Sequence, residues 1–376
     1  MAAHIPAPKG YISRRSCARG VNIVRSNFPA PSSPAIRDVL YTVINRLKKD
    51  HHRVISADEI PIQDPDAIEE EKIRALLKGC NPNLTILYAH GGGLYFSSPT
   101  QYRAASARLA KSTGALVVSL KHRLALVHTF PAPILDILLA YTSLLYPPPN
   151  AAYPAIPASQ IVIAGNSAGA NLALGLVKTL LEIQNLPESD RLFESMVILL
   201  ATSPSPLALP SYSEDSIWPS TPPREVPYCN ATTLDHVLVS PAAVEDCTGA
   251  PPMWFAFGCE GCGHDGSRVV ASQASRADVV VKWNEYEGMP QARDLFESWA
   301  KACWGFTEAA SEDGRRGKES GMGSGAVRWL MPDCRRVDLG SPGDLAPLVF
   351  GEVRRRMRAY NKTRPVWMGK VRGQKL

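Results

Sequence analysis

The sequence predicts an α/β fold, a mostly parallel central sheet with helices on both faces. Three observations carry this. Short apolar runs at 84–89, 116–120, 161–164, 196–201, 252–257 and 279–286, most of them rich in β-branched residues, read as strands. Helical patterns fit between them at 101–112, 131–146, 167–184 and 292–303, and strands alternating with helices argue for a parallel sheet. Residues 161–169, Ile-Val-Ile-Ala-Gly-Asn-Ser-Ala-Gly, pass from a strand through a glycine-flanked serine into an amphipathic helix. That helix repeats Leu172, Leu176, Leu180 and Ile183 at helical spacing.

The first strand, 84–89, runs straight into His90-Gly91-Gly92-Gly93. Glycines let bare backbone approach a substrate, and such a loop aims N–H groups at the oxyanion of a tetrahedral intermediate. Gly91 and Gly92 are the predicted donors, with the N–H of Ala168 as the remaining one. His90 is read as a prop for the loop, and Gly93 as part of its turn. The strand at 161–164 leads into the G-x-S-x-G turn, Gly165 to Gly169. A sharp turn there lifts the hydroxyl of Ser167 above the sheet as a nucleophile. Gly165 and Gly169 lack a Cβ, so neighbouring backbone can pass close.

Four stretches together resemble the hormone-sensitive-lipase-like group of α/β-hydrolases, the fold-3 carboxylesterases. They are His90–Gly93; His122-Arg123-Leu124-Ala125 with Phe130-Pro131-Ala132; Gly165–Gly169; and residues 251–258, Pro-Pro-Met-Trp-Phe-Ala-Phe-Gly. The wording of 251–258 and of 286–290 is closest to fungal members. Leu126-Val127 stands where the family usually continues with Pro-Glu, a structural position.

The resemblance implies an α/β-hydrolase fold, an ester substrate, and no metal or cofactor. It also implies an acid after the strand ending at Gly258 and a histidine after the last core strand. Glu260 and Asp265 are both candidates for the acid, the first favoured by family order, the second then a supporting carboxylate; either could instead be a solvated loop charge. The base breaks the pattern. Family wording is Tyr-Glu-x-Met-Pro-His, but this chain reads Tyr286-Glu287-Gly288-Met289-Pro290-Gln291, with no histidine after His264. An amide has no useful basicity near neutral pH. The wording of 290–300 matches what relatives carry a dozen or so residues further on, which points to a short deletion. His264, in a glycine-rich loop beside the acids, is an alternative base; His122, His128 and His236 are read as structural or exposed.

The organisation follows: an N-terminal arm and cap at 1–50, irregular over 1–36 with a helix at 37–49; a core at 51–306 with a Pro- and Ser-rich cap insertion at 203–233; a low-complexity loop at 307–325; and a basic C-terminal extension at 326–376, a solvated helix and strap. The formal charge of +6 resides in this tail: residues 351–376 hold nine Lys/Arg and one Glu, +8, leaving −2 for the rest. That distribution argues against a nucleic-acid face on the catalytic body. No apolar run approaches the ~20 residues a membrane span needs, and the N-terminal residues lack a signal-peptide pattern. A cytoplasmic location with reduced thiols is expected for the eight scattered cysteines. The lone Cys259-Glu260-Gly261-Cys262 has no second pair, so no metal is expected. The expected partner is a small-molecule ester; oligomeric state is not readable. Two other readings stand beside an esterase with an impaired triad: a ligand-binding protein on the same scaffold, as in the gibberellin receptors that resemble this family and also lack the base, and a non-hydrolytic natural-product enzyme.

Overall fold

Nine strands form one sheet in the order β1-β3-β2-β4-β5-β6-β7-β8-β9. They are β1 (Gly20–Val24), β2 (Thr85–Ala89), β3 (Leu116–Lys121), β4 (Ile161–Ser167), β5 (Ile198–Thr202), β6 (Met253–Gly258), β7 (Val281–Glu287), β8 (Gly325–Leu330) and β9 (Arg335–Gly340). The helices are α1 (Arg103–Thr113), α2 (Ala132–Leu145), α3 (Ala168–Gln184), α4 (His264–Arg276) and α5 (Phe350–Thr363). This computed structural model describes residues 20–24, 84–147 except 114 and 126, 153–184, 198–202, 228–229, 235–259, 264–287, 324–330, 335–346 and 350–363.

Every pairing from β1 to β8 is parallel; only β8 and β9 are antiparallel. A parallel sheet is covered on both faces, which is why β2, β3 and β6 are near-continuous apolar runs rather than alternating ones. Alternate residues still divide between two cores. Leu87, Ala89, Ile163 and Phe255 pack with α2, α3 and the inner face of α4. Ile86, Tyr88, Val162 and Trp254 pack against Ala105, Leu109 and Ala110 of α1. Helix α2 is buried along its whole length, with Pro133 in the first turn, where a missing N–H costs nothing.

The predicted core strands and helices appear within two or three residues of their expected ends. Three expectations are corrected. The N-terminal arm is not irregular throughout: Gly20–Val24 pairs with β3 along the sheet edge. Of the loop predicted at 307–325, residues 307–323 lie outside the described residues, and Gly325 already pairs with Lys282 in β8. In the C-terminal extension the expected helix is present, as α5, but the extension is not solvated throughout its described residues. Its β8 and β9 enlarge the sheet, and α5 buries Val353 and Met357, one turn apart, against Ala242, Ala243 and Val269. The helices predicted at 37–49 and 292–303, and most of the 203–233 segment, lie outside the described residues.

Candidate active site

The chain goes from β2 outward to β3, then crosses back to β4 on the other side of β2. Loops leaving the carboxyl ends of β2 and β4 therefore diverge, and such a switch point opens a crevice. The register sets Ala89 opposite Gly165, so the His90–Gly93 loop and the Ser167 turn emerge side by side.

Ser167 is the last residue of β4 and has φ +52°, a left-handed conformation costly for a non-glycine residue. The surrounding backbone enforces this turn. A Cβ on Gly165 would lie 2.4 Å from the carbonyl of Gly169, and one on Gly169 would lie 2.0 Å from the carbonyl oxygen of Ala89. Helix α3 begins at Ala168, whose N–H is among the four without an intrahelical partner at a helix start. The positive end of the helix dipole thus abuts the serine.

The glycine loop is equally constrained. Gly92 and Gly93 have φ +122° and +63°. The Gly92 carbonyl accepts the N–H groups of Tyr95 and Phe96, both at 3.1 Å, and the Leu94 carbonyl accepts the Ala125 N–H at 2.7 Å. Among the described residues, no backbone carbonyl takes up the N–H of Gly91 or Gly92. His90 turns inward: its Nδ1–H donates to Gly91 O at 2.8 Å, and its ring stacks on His122 at 4.2 Å. Burial and the neighbouring His122 lower the His90 pKa to about 3. His122 places one ring nitrogen 3.2 Å from His90 O and the other 3.1 Å from Arg123 O. Arg123 in turn forms a buried pair with Asp136 of α2 at 2.9 Å, and Asp136 also accepts the Arg123 backbone N–H at 2.7 Å. The stretch 122–125 thus supports the glycine loop from behind.

The predicted acids separate. Asp265 is not a solvated loop charge: it is a buried residue in the first turn of α4, where a negative charge favours the helix dipole. Glu260 lies outside the described residues, as does Gln291. His264, expected in a flexible loop, is also in that first turn. Its Nε2–H donates to Glu285 Oε2 at 3.2 Å, and its ring packs against Phe257 and Trp283. Ser167 is level with Thr202, and Phe257 with Glu285. At about 4.8 Å per strand, Glu285 on β7 lies on the order of 14 Å from Ser167 on β4. The His264 ring is thus engaged at the Glu285 carboxylate, three strands from the serine.

The Glu285 cluster was not anticipated. Its carboxylate, fully buried, accepts from Arg268 at 2.8 Å, Arg328 at 2.5 Å, the Trp283 indole at 2.9 Å and His264. Burial alone would raise its pKa; these donors overcome that and hold it well below the usual carboxylate range. Cys259 Sγ, His264 and Glu285 offer ligand atoms within 4.8 Å of one another. The group does not fit a cation, because two guanidiniums already occupy the carboxylate, whose lone pairs number about four. Burial first, and then the charge of Glu285, push the Cys259 thiol up to about 11.

A family model for the alpha/beta hydrolase fold matches residues 86–293, more than half of the chain. The chain belongs to this family. It is 29% identical over 208 residues to an acetyl-hydrolase of Streptomyces hygroscopicus, covering 54% of this chain and 66% of that one. To an esterase of Acinetobacter venetianus it is 28% identical over 231 residues, 57% of this chain and 69% of that one. An arylesterase structure superposes with a TM-score of 0.52 at 18% identity, covering 74% of this chain and 99% of that one, a likeness of fold. The relatives place the chain within an esterase- and lipase-like group of hydrolases. Among the described residues, no helix is long and apolar enough to cross a membrane.

Proposed function

We propose that the chain is a serine carboxylic-ester hydrolase whose triad lacks its usual base. The observation that carries this reading is the strained left-handed Ser167 at the head of α3, beside the open N–H groups of the glycine loop. Ser167 Oγ attacks the acyl carbonyl. The N–H groups of Gly91, Gly92 and Ala168 receive the developing oxyanion. Collapse releases the alcohol and leaves an acyl-serine, which water hydrolyses to the acid and free serine. Glu260 or Asp265 is the acid that would orient a base. With Gln291 at the base position and His264 held by Glu285, serine activation falls to water, and turnover is several orders of magnitude below that of an intact triad. Small esters are the substrate class, as the esterase and acetyl-hydrolase relatives suggest.

The engagement of His264 also favours a second reading, a ligand-binding or non-hydrolytic protein on the same scaffold. Hydrolysis of p-nitrophenyl acetate by the full chain and by Ser167→Ala separates them. Slow turnover lost in Ser167→Ala supports the esterase; equal rates sink it in favour of the binding reading. Turnover that also vanishes in His264→Ala would instead assign the base to His264.

A further inference from the structure

We infer that Glu285 and Arg328 are positioning residues, through which the C-terminal extension holds the first turn of α4 and the acid it carries. The inference rests on the proposed site only for the meaning of Asp265 as a candidate acid; the mechanical linkage stands on geometry.

Three elements meet at one buried carboxylate, two of them consecutive and the third, β8, contributing a residue 43 positions on. Glu285 comes from β7, His264 and Arg268 from the first and second turns of α4, and Arg328 from β8. Glu285 and Arg328 are direct register partners across the β7–β8 pair. Trp283, fully buried on the same strand face, donates its indole N–H to Glu285 Oε2 and flanks the His264 ring. Rotation of the carboxylate would break contacts on both oxygens, since Arg268 bridges Oε1 and Oε2 at 3.1 and 2.8 Å. Its orientation is held jointly by Trp283 and Arg268 and, from the β8 side, by Arg328 on Oε1, so loss of Arg328 loosens the contact that places His264 and Arg268. Asp265 directly follows His264 on the same turn. A shift of that turn moves the acid with it, although neither Glu285 nor Arg328 approaches the serine.

A further consequence is asymmetric. Removing Arg328 leaves a balanced Glu285–Arg268 pair, whereas removing the charge of Glu285 leaves two guanidiniums facing one another. Glu285→Gln therefore disrupts α4 more than Arg328→Ala. Lysine at 328 keeps a cation but loses the fork geometry, so it restores only part of the order.

The test uses the full chain with Arg328→Ala, Arg328→Lys and Glu285→Gln. Amide hydrogen exchange is read over residues 264–270 and, as reference, over 168–184, alongside p-nitrophenyl acetate kinetics. Arg328→Ala is expected to speed exchange at 264–270 by about ten-fold with the reference within about two-fold. Arg328→Lys should recover part of that protection. Unchanged exchange at 264–270, or equal acceleration in both segments, overturns the positioning role. If the parent chain shows no Ser167-dependent turnover, the esterase reading falls while the exchange result still decides this one.

Discussion

Gly169→Ala offers a direct test of how tightly the turn is built. The added methyl would lie 2.0 Å from Ala89 O, 2.5 Å from Ala89 C and 2.8 Å from His90 O. All three atoms are backbone, so no rotamer change relieves the clash; either the end of β2 or the start of α3 must move by about 1.5 Å to reach ordinary contact. Overpacking of this kind costs about 1–3 kcal/mol, and the upper part of that range applies where only backbone can yield. The helix propensity gained by alanine returns at most about 1 kcal/mol, leaving a net loss of about 2 kcal/mol. The carbonyls that move belong to the residues just before Gly91, so the proposed oxyanion donors shift with them, and a misplacement of about 1 Å costs on the order of 100-fold in rate. Gly175→Ala is the control on the same helix. Its nearest contact is Ile134 Cδ1 at 2.6 Å, the end of a flexible side chain, and the next is Leu238 O at 3.7 Å. Urea unfolding followed by circular dichroism, with p-nitrophenyl acetate turnover, compares the two. Gly169→Ala matching Gly175→Ala in both stability and rate would refute the steric argument.

Two other outcomes follow from buried charges. Asp136→Asn leaves Arg123 buried without its counter-ion and should cost about 3–5 kcal/mol in urea unfolding; a loss under about 1 kcal/mol would show that the pair does not brace the 122–125 stretch. His90, with its pKa lowered to about 3, refuses a proton that the unfolded chain accepts near 6.5. Stability should therefore fall as pH drops from about 6.5 toward 3, and His90→Asn should flatten that slope; urea midpoints at pH 7, 5.5 and 4 would reveal a parallel decline if His90 were not responsible.

The centre of the fold was legible because burial on both faces forces continuous apolar strands, as in Ile161–Ile163 or residues 253–257, and because glycines mark where backbone must touch backbone. Ser167 and the glycine loop were legible for the same reason. The edges were not. β8, Gly-Ala-Val-Arg-Trp-Leu, and β9, Arg-Arg-Val-Asp-Leu-Gly, are only partly covered and carry charges at positions that read as loop or tail. The helical start at His264 was hidden by flanking glycines; the buried Glu285 contact that orders it comes from a strand 21 residues away. Nothing local to Glu285, Arg268 or Arg328 announces their meeting, since each is an ordinary charged residue until three elements converge.

The antiparallel β9 has a consequence for solubility. A sheet ends in a row of unpaired amides that invites another chain. Here the outermost strand carries Arg335, Arg336 and Asp338, and its register with β8 is broken by an irregularity at Ala326 and Val327. Charge and irregularity on that rim discourage edge-to-edge stacking. A chain cut after residue 323 would expose β7 instead, where Val281, Trp283, Glu285 and Tyr286 are buried. Such a truncated protein should self-associate into sheet-rich aggregates, so β8 and β9 act as a charged guard on the edge of the sheet.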